Sequence, residues 1–96
     1  MLQVCENIST IVLNSNLANK NLEDLNKYIY RNNCINMTVD ISELNIFDAS
    51  KIATLGSTIH YMKYPEGSIN WIVNSNKVKE YTTSMNLGNS LFICKK

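Results

Sequence analysis

Apolar and polar residues alternate along one stretch of this chain, and apolar residues at helical spacing flank it. From residue 34 to residue 41 every second side chain is apolar, which predicts a strand that is buried on one side only. Short apolar segments at 2–4, 10–13, 68–73 and 91–94 predict further strands. Because the 34–41 strand is polar at alternate positions, we expect helices on one face of the sheet and a partly open opposite face.

Three segments carry apolar residues at helical spacing. The first covers about 21–31, with Asn21 as its N-cap, and the third begins after the turn-forming residues 74–76. The second runs from about Ala49 to Lys63, with Asp48 as N-cap. Side chains expected to face the core are Leu22, Leu25 and Ile29 in the first helix, Ile52, Leu55 or Gly56, Ile59 and Met62 in the second, and Val78, Tyr81, Met85 and Thr82 in the third.

The resulting order of elements is β-β-α-β-α-β-α-β, which predicts a single α/β domain over residues 1–96. Strands that alternate with helices pair in parallel through right-handed crossovers. With the extra strand at the amino terminus, we expect a mixed sheet of four to five strands with helices mainly on one face.

Charge and hydropathy exclude several classes of partner. The net charge is +1 and the basic residues form no cluster beyond Lys95-Lys96, which argues against nucleic-acid binding and a polybasic membrane anchor. No apolar run approaches the roughly 18 residues that a membrane span needs, and the first residues lack the pattern of a signal peptide. Cys5, Cys34 and Cys94 are odd in number and widely spaced, so we expect a cytoplasmic protein with free thiols.

Residues that carry catalytic or metal chemistry are sparse. His60 is the single histidine, has no carboxylate or cysteine at ligand spacing, and is expected on the second helix beside the apolar stripe, at the boundary between its buried and exposed faces. The three glycines are scattered and form no phosphate-binding loop. We therefore expect no enzyme activity, no metal and no cofactor, and we place Trp71 in the core with Ile69 and Val73.

The segment Asp48-Ala49-Ser50 opens the second predicted helix and places a hydroxyl in its first turn. Backbone N–H groups and the helix dipole favour negative charge there. A phosphate on Ser50 would add about −1.5 to −2 charge beside Lys51 and would repel an acidic partner surface. The same residues also fit an ordinary helix start, so both interpretations stay open.

The order and spacing of several short motifs resemble the STAS domain family of bacterial anti-sigma-factor antagonists. The likeness covers nearly the whole chain and is strongest from Thr38 to Ile93. The family's Asp-Leu-Ser, hydrophobic pair and Asp-Ser-Ser-Gly correspond to Val39-Asp40-Ile41-Ser42, then Ile46-Phe47, then Asp48-Ala49-Ser50-Lys51; Gly67, Asn76-Lys77-Val78 and Asn86-Leu87-Gly88 match later positions. Ala49 and Lys51 depart from the family's Ser and Gly.

The resemblance implies a non-enzymatic domain that works by binding proteins, with Ser50 aligned to the phosphorylated serine of the antagonists. The partner would then be a serine kinase that is also an anti-sigma-like factor. The departures at Ala49 and Lys51 favour an alternative, a constitutive subunit of a larger assembly such as a lipid-transporting ATPase complex. We expect partner binding through Asp48, Ala49, Ser50 and Lys51 together with Ser75, Asn76 and Lys77, and a homodimer is left open.

Overall fold

The computed structural model of the protein describes residues 10–31 and 35–95, apart from the side chain of Ala18. Within this part of the chain, strands and helices alternate strictly. They are β1 (Thr10–Val12), α1 (Ala18–Arg31), β2 (Asn36–Asp40), α2 (Ile46–Lys63), β3 (Ser68–Val73), α3 (Asn76–Thr83) and β4 (Ser90–Cys94). The α/β class is confirmed. The strand predicted at residues 2–4, which would make the sheet mixed, lies outside the described residues.

The four strands form one sheet in the order β1-β2-β3-β4, and every neighbouring pair is parallel. Ile11, Val39, Trp71 and Phe92 lie side by side in register and face the core. The adjacent row of Thr10, Thr38, Asn70 and Leu91 faces the other way and is exposed or half-buried. The alternation of residues 36–41 therefore separates a covered face from an open face, as predicted.

Trp71 lies at the centre of the core and is fully buried. Its ring stacks on Phe92 with centroids 6.4 Å apart, and its indole N–H donates a hydrogen bond to the Ser90 hydroxyl at 3.0 Å. The Ser90 hydroxyl also contacts the Ser57 hydroxyl of α2. These contacts join α2 to β3 and β4. They also provide a partner for the buried indole N–H of Trp71, which would be costly to bury without one.

Helix α2 packs on the sheet through its small residues. The buried side of the helix consists of Ala49, Ile52, Ala53, Gly56, Ser57 and His60. A Cβ at Gly56 would come within 2.5 Å of Leu25 and 2.7 Å of Trp71, so the glycine allows close approach between α2, α1 and β3. The predicted stripe is therefore confirmed at Ile52 and Gly56 and wrong at Met62, whose side chain is 72% exposed.

The other helices also depart from the predictions at particular positions. Helix α1 begins at Ala18, so Asn21 is not its N-cap but a buried helical residue that exchanges hydrogen bonds with the backbone of Ser15. In α3, Val78 and Thr82 are buried as predicted, whereas Tyr81 is exposed. His60 is fully buried, with its ring 5.3 Å from that of Tyr64, so it lies in the core and not at the boundary between the buried and exposed faces of α2.

The carboxyl end of α1 is closed by a lysine from α2. The Lys63 ammonium donates to the carbonyl oxygens of Ile29 at 3.0 Å and Tyr30 at 3.1 Å. It also lies 5.0 Å from the centre of the Tyr30 ring. A cation at this position complements the negative end of the helix dipole and ties α1 to α2.

No helix in the described ranges combines the length and hydropathy that a membrane crossing requires.

Candidate functional site

Helix α2 begins at Ile46 and not at Ala49, because Asn45 is its N-cap. The Asn45 side chain accepts a hydrogen bond from the backbone N–H of Asp48 at 2.8 Å. Asp48 therefore lies in the first turn, where its carboxylate favours the positive end of the helix dipole. The prediction that Asp48 caps α2 is wrong. The chain offers two capping residues three positions apart, and the helix uses the earlier one.

This start moves Ser50 into the second turn of α2. Its side chain is half-buried, and its hydroxyl donates to the carbonyl oxygen of Ile46 at 2.7 Å. The prediction of a first-turn hydroxyl is therefore wrong. The helix dipole acts mainly on the first turn, and a phosphorylated Ser50 would have to give up the bond to Ile46.

The exposed side of α2 presents a ridge made of Phe47, Lys51, Thr54 and Thr58, all of them exposed. These residues recur every three or four positions and so share one side of the helix. Phe47 is 81% exposed although it is a large aromatic side chain. Thr54 lies 3.7 Å from the sulfur of Met85, which brings the end of the α3 region beside the ridge.

Phe47 is a surface residue that the sequence prediction missed. If Asp48 were the cap, Phe47 would precede the helix, and the pattern would not predict on which side its side chain lies. With Asn45 as the cap, helical geometry places Phe47 on the same side as Lys51. The signal was present in the spacing of Asn45 and Asp48, which resembles a capping box with an aspartate in the last position.

The other predicted residues on α2 lie on different sides of the helix. Ala49 is 1% exposed, so its side chain is in the core and not at the surface. Asp48 and Lys51 border a small depression between α1 and α2 of about 10 Å³, which is room for a single water. A depression of this size is too small to enclose a small ligand, which normally binds in a cavity of several hundred Å³.

The predicted residues at the start of α3 lie at the same end of the domain as the start of α2. Both helices follow parallel strands, so their amino ends share the carboxyl edge of the sheet. Ser75 is the N-cap of α3, and its hydroxyl accepts from the N–H of Val78 at 3.3 Å. Asn76 and Lys77 are exposed and available to a partner.

A larger cleft of about 410 Å³ lies at the opposite end of the domain, near the amino ends of β3 and β4. Its lining includes Ser57, Tyr61, Glu66, Asn86 and Asn89. Glu66 is the one ionisable carboxylate among the lining residues, and none of them is a histidine, cysteine or lysine.

Within 10–31 and 35–95, no three side chains of histidine, cysteine, aspartate or glutamate converge as metal ligands would. Cys94, the cysteine in this part of the chain, is a free thiol. Comparison of the chain with protein-family models, curated proteins and solved structures finds no match. The resemblance to STAS domains thus continues to rest on the order and spacing of the motifs quoted above.

Proposed function

We propose that this protein is a non-enzymatic interaction domain that binds another protein through the ridge of α2 and the adjacent start of α3. The observation that carries the proposal is the 81% exposure of Phe47 on the same side of α2 as Lys51, at the end of the domain where Asn76 and Lys77 are also exposed. An aromatic side chain surrounded by polar and charged groups is the usual composition of an interaction hot spot. The resemblance to anti-sigma-factor antagonists supports the same surface.

Replacement of Phe47 by alanine is expected to weaken partner binding by about 2–4 kcal/mol, or roughly 30- to 1,000-fold in Kd. The aromatic ring supplies buried area that alanine cannot replace. The measurement is titration calorimetry with candidate serine kinases and transporter ATPases encoded by the same genome. Because Phe47 makes few contacts in the free protein, its loss should leave the folding stability nearly unchanged.

Met62→Ala is the matched control for this binding experiment. Met62 lies on the same helix, is 72% exposed, and is near the opposite end of α2. The control variant should bind the partner as tightly as the native chain. Equal losses in both variants would place the contact elsewhere and would contradict the proposed surface.

Two kinds of partner remain candidates, and they differ in the role of Ser50. In the first, a serine kinase of anti-sigma type phosphorylates Ser50 and the added charge weakens docking. In the second, the domain is a constitutive subunit of a larger assembly, such as a lipid-transporting ATPase complex. The bond from the Ser50 hydroxyl to Ile46 and its second-turn position favour the second, because the serine is neither free nor at the helix end.

Intact-mass analysis after incubation with these kinases and ATP distinguishes the two. A phosphate that is added to the native chain and absent from Ser50→Ala supports the switch. Ser68→Ala is a suitable control, because Ser68 is an exposed serine at the amino end of β3, at the opposite end of the domain from the start of α2. Labelling that persists in Ser50→Ala excludes Ser50 as the acceptor, and a partner that binds without any labelling supports the constitutive subunit.

A further inference from the structure

We infer that two copies of this chain associate through antiparallel pairing of their β4 strands. The inference starts from the position of β4, which among residues 10–31 and 35–95 is an edge strand of the sheet with β3 on one side only. Five residues long, it contains no proline and no charged side chain. Proteins usually protect exposed edges with prolines, charges or bulges, and β4 carries none of these.

The backbone of β4 has hydrogen-bonding groups directed outward. Asn89 accepts from the N–H of Ile69, and Lys95 donates to the carbonyl of Val73, so odd-numbered residues of this segment face β3. The alternation directs the N–H and C=O groups of Phe92 and Cys94, and the C=O of Ser90, away from the sheet. The Ser90 N–H already donates a hydrogen bond to the carbonyl oxygen of Leu87.

Among the described residues, an open groove lies beside the first of these groups. A groove of about 210 Å³ runs along the amino-terminal half of β4, between Ser90–Phe92 and the segment that joins α3 to β4. Every residue that lines it is uncharged. An uncharged extended segment fits such a groove better than a basic or acidic peptide, since a buried charge would have no partner there.

The segment that matches this groove is β4 itself. A two-fold axis at Phe92 lets the two Phe92 residues exchange N–H···O=C bonds, and Cys94 of each copy donates to Ser90 of the other. Because the Ser90 N–H already donates to the Leu87 carbonyl oxygen, the reciprocal bond from Ser90 to Cys94 does not form, and each Ser90–Cys94 pair contributes one bond. In this register Lys95 faces Asn89 of the second copy and not Lys95, so no like charges meet.

The side chains on the open face are complementary in the same register. Leu91 is 60% exposed and Ile93 is 42% exposed, and Ile93 lies beside Ile72 of β3. Antiparallel pairing places Leu91 of one copy opposite Ile93 of the other at both ends of the contact. Apolar side chains that are exposed in a single chain are therefore buried in the dimer, and this burial drives the association.

The test is size-exclusion chromatography with light scattering and sedimentation equilibrium over a range of concentrations. The native chain should be a dimer at high concentration. In L91K/I93K, a lysine faces a lysine at both positions, and the dimer should weaken by about tenfold or more. In L91K/I93E, lysine faces glutamate and dimerisation should be largely restored, an outcome specific to this antiparallel register.

Val12→Lys is the matched control, because Val12 is exposed on the same face but on β1 at the other edge of the sheet. It should leave the dimer unchanged, and the fluorescence of Trp71 should report a native core in every variant. A native chain that stays monomeric overturns the inference, as does a dimer that L91K/I93K leaves intact. Failure of L91K/I93E to restore the dimer overturns the register. A monomer that loses binding of a different protein in L91K/I93K assigns the edge to that protein instead.

Discussion

Replacement of Gly56 by valine is expected to lower the free energy of unfolding by about 3 kcal/mol. The new Cβ would lie 2.5 Å from the Leu25 side chain and 2.7 Å from the Trp71 ring, well inside van der Waals contact. Both neighbours are fully buried and packed on several sides, so neither can move without disturbing the core. The higher helix propensity of valine recovers less than about 1 kcal/mol.

Urea unfolding followed by Trp71 fluorescence measures this loss directly, since Trp71 is the single tryptophan and is fully buried. Gly88→Val is the control, because no atom lies within 4 Å of a Cβ at that glycine. The control should unfold at nearly the native midpoint. A Gly56→Val chain as stable as the control would mean that α2 does not pack closely over Trp71.

The same close packing explains why the inward side of α2 was only partly predictable. Hydropathy directed Leu55, Ile59 and Met62 inward, but the helix approaches the bulky Trp71 most closely with small residues. Alanine, glycine and serine carry a weak hydropathy signal, so the pattern pointed to a neighbouring stripe. His60 is buried for the same reason, because it follows Gly56 by one turn on the inward side.

The strands were easier to predict than the helix ends. The alternation in β2 and β3 allows only one assignment of side chains to the buried and exposed faces, because a shift by one residue would expose both Val39 and Trp71. At the start of α2, by contrast, Asn45 and Asp48 are equally good caps by residue type. Burial of Leu44 and Ala49 decides between them, and this tertiary information is absent from the local sequence.

The error at the start of α2 changes the candidate site more than the fold. Moving the helix start to Ile46 places Ser50 beyond the first turn and places Phe47 on the exposed side. The physical argument for a phosphate at the helix end becomes weaker, whereas the argument for an aromatic docking residue becomes stronger. The two proposed surfaces, around Phe47 and along β4, are on different parts of the domain, so a dimer would present two docking sites.

Replacement of Gly67 by alanine is expected to lower the free energy of unfolding by about 2–4 kcal/mol. A Cβ at Gly67 would lie 2.2 Å from the backbone carbonyl oxygen of Ile35, and that oxygen accepts the N–H of Ser68 at 3.0 Å. A backbone atom cannot rotate away as a side chain can. The turn must therefore shift, which weakens the hydrogen bond between Ser68 and Ile35 at the amino ends of β3 and β2.

Gly88→Ala tests whether this loss belongs to the close approach at Gly67 and not to alanine in a turn. Gly88 lies in the corresponding turn before β4, and its surroundings are open. Neither glycine has a positive φ, so backbone conformation does not separate them. Urea midpoints should fall for Gly67→Ala and stay near the native value for Gly88→Ala. Equal midpoints in the two variants would contradict the contact between Gly67 and Ile35, and with it the register that joins β2 to β3 at this end of the sheet.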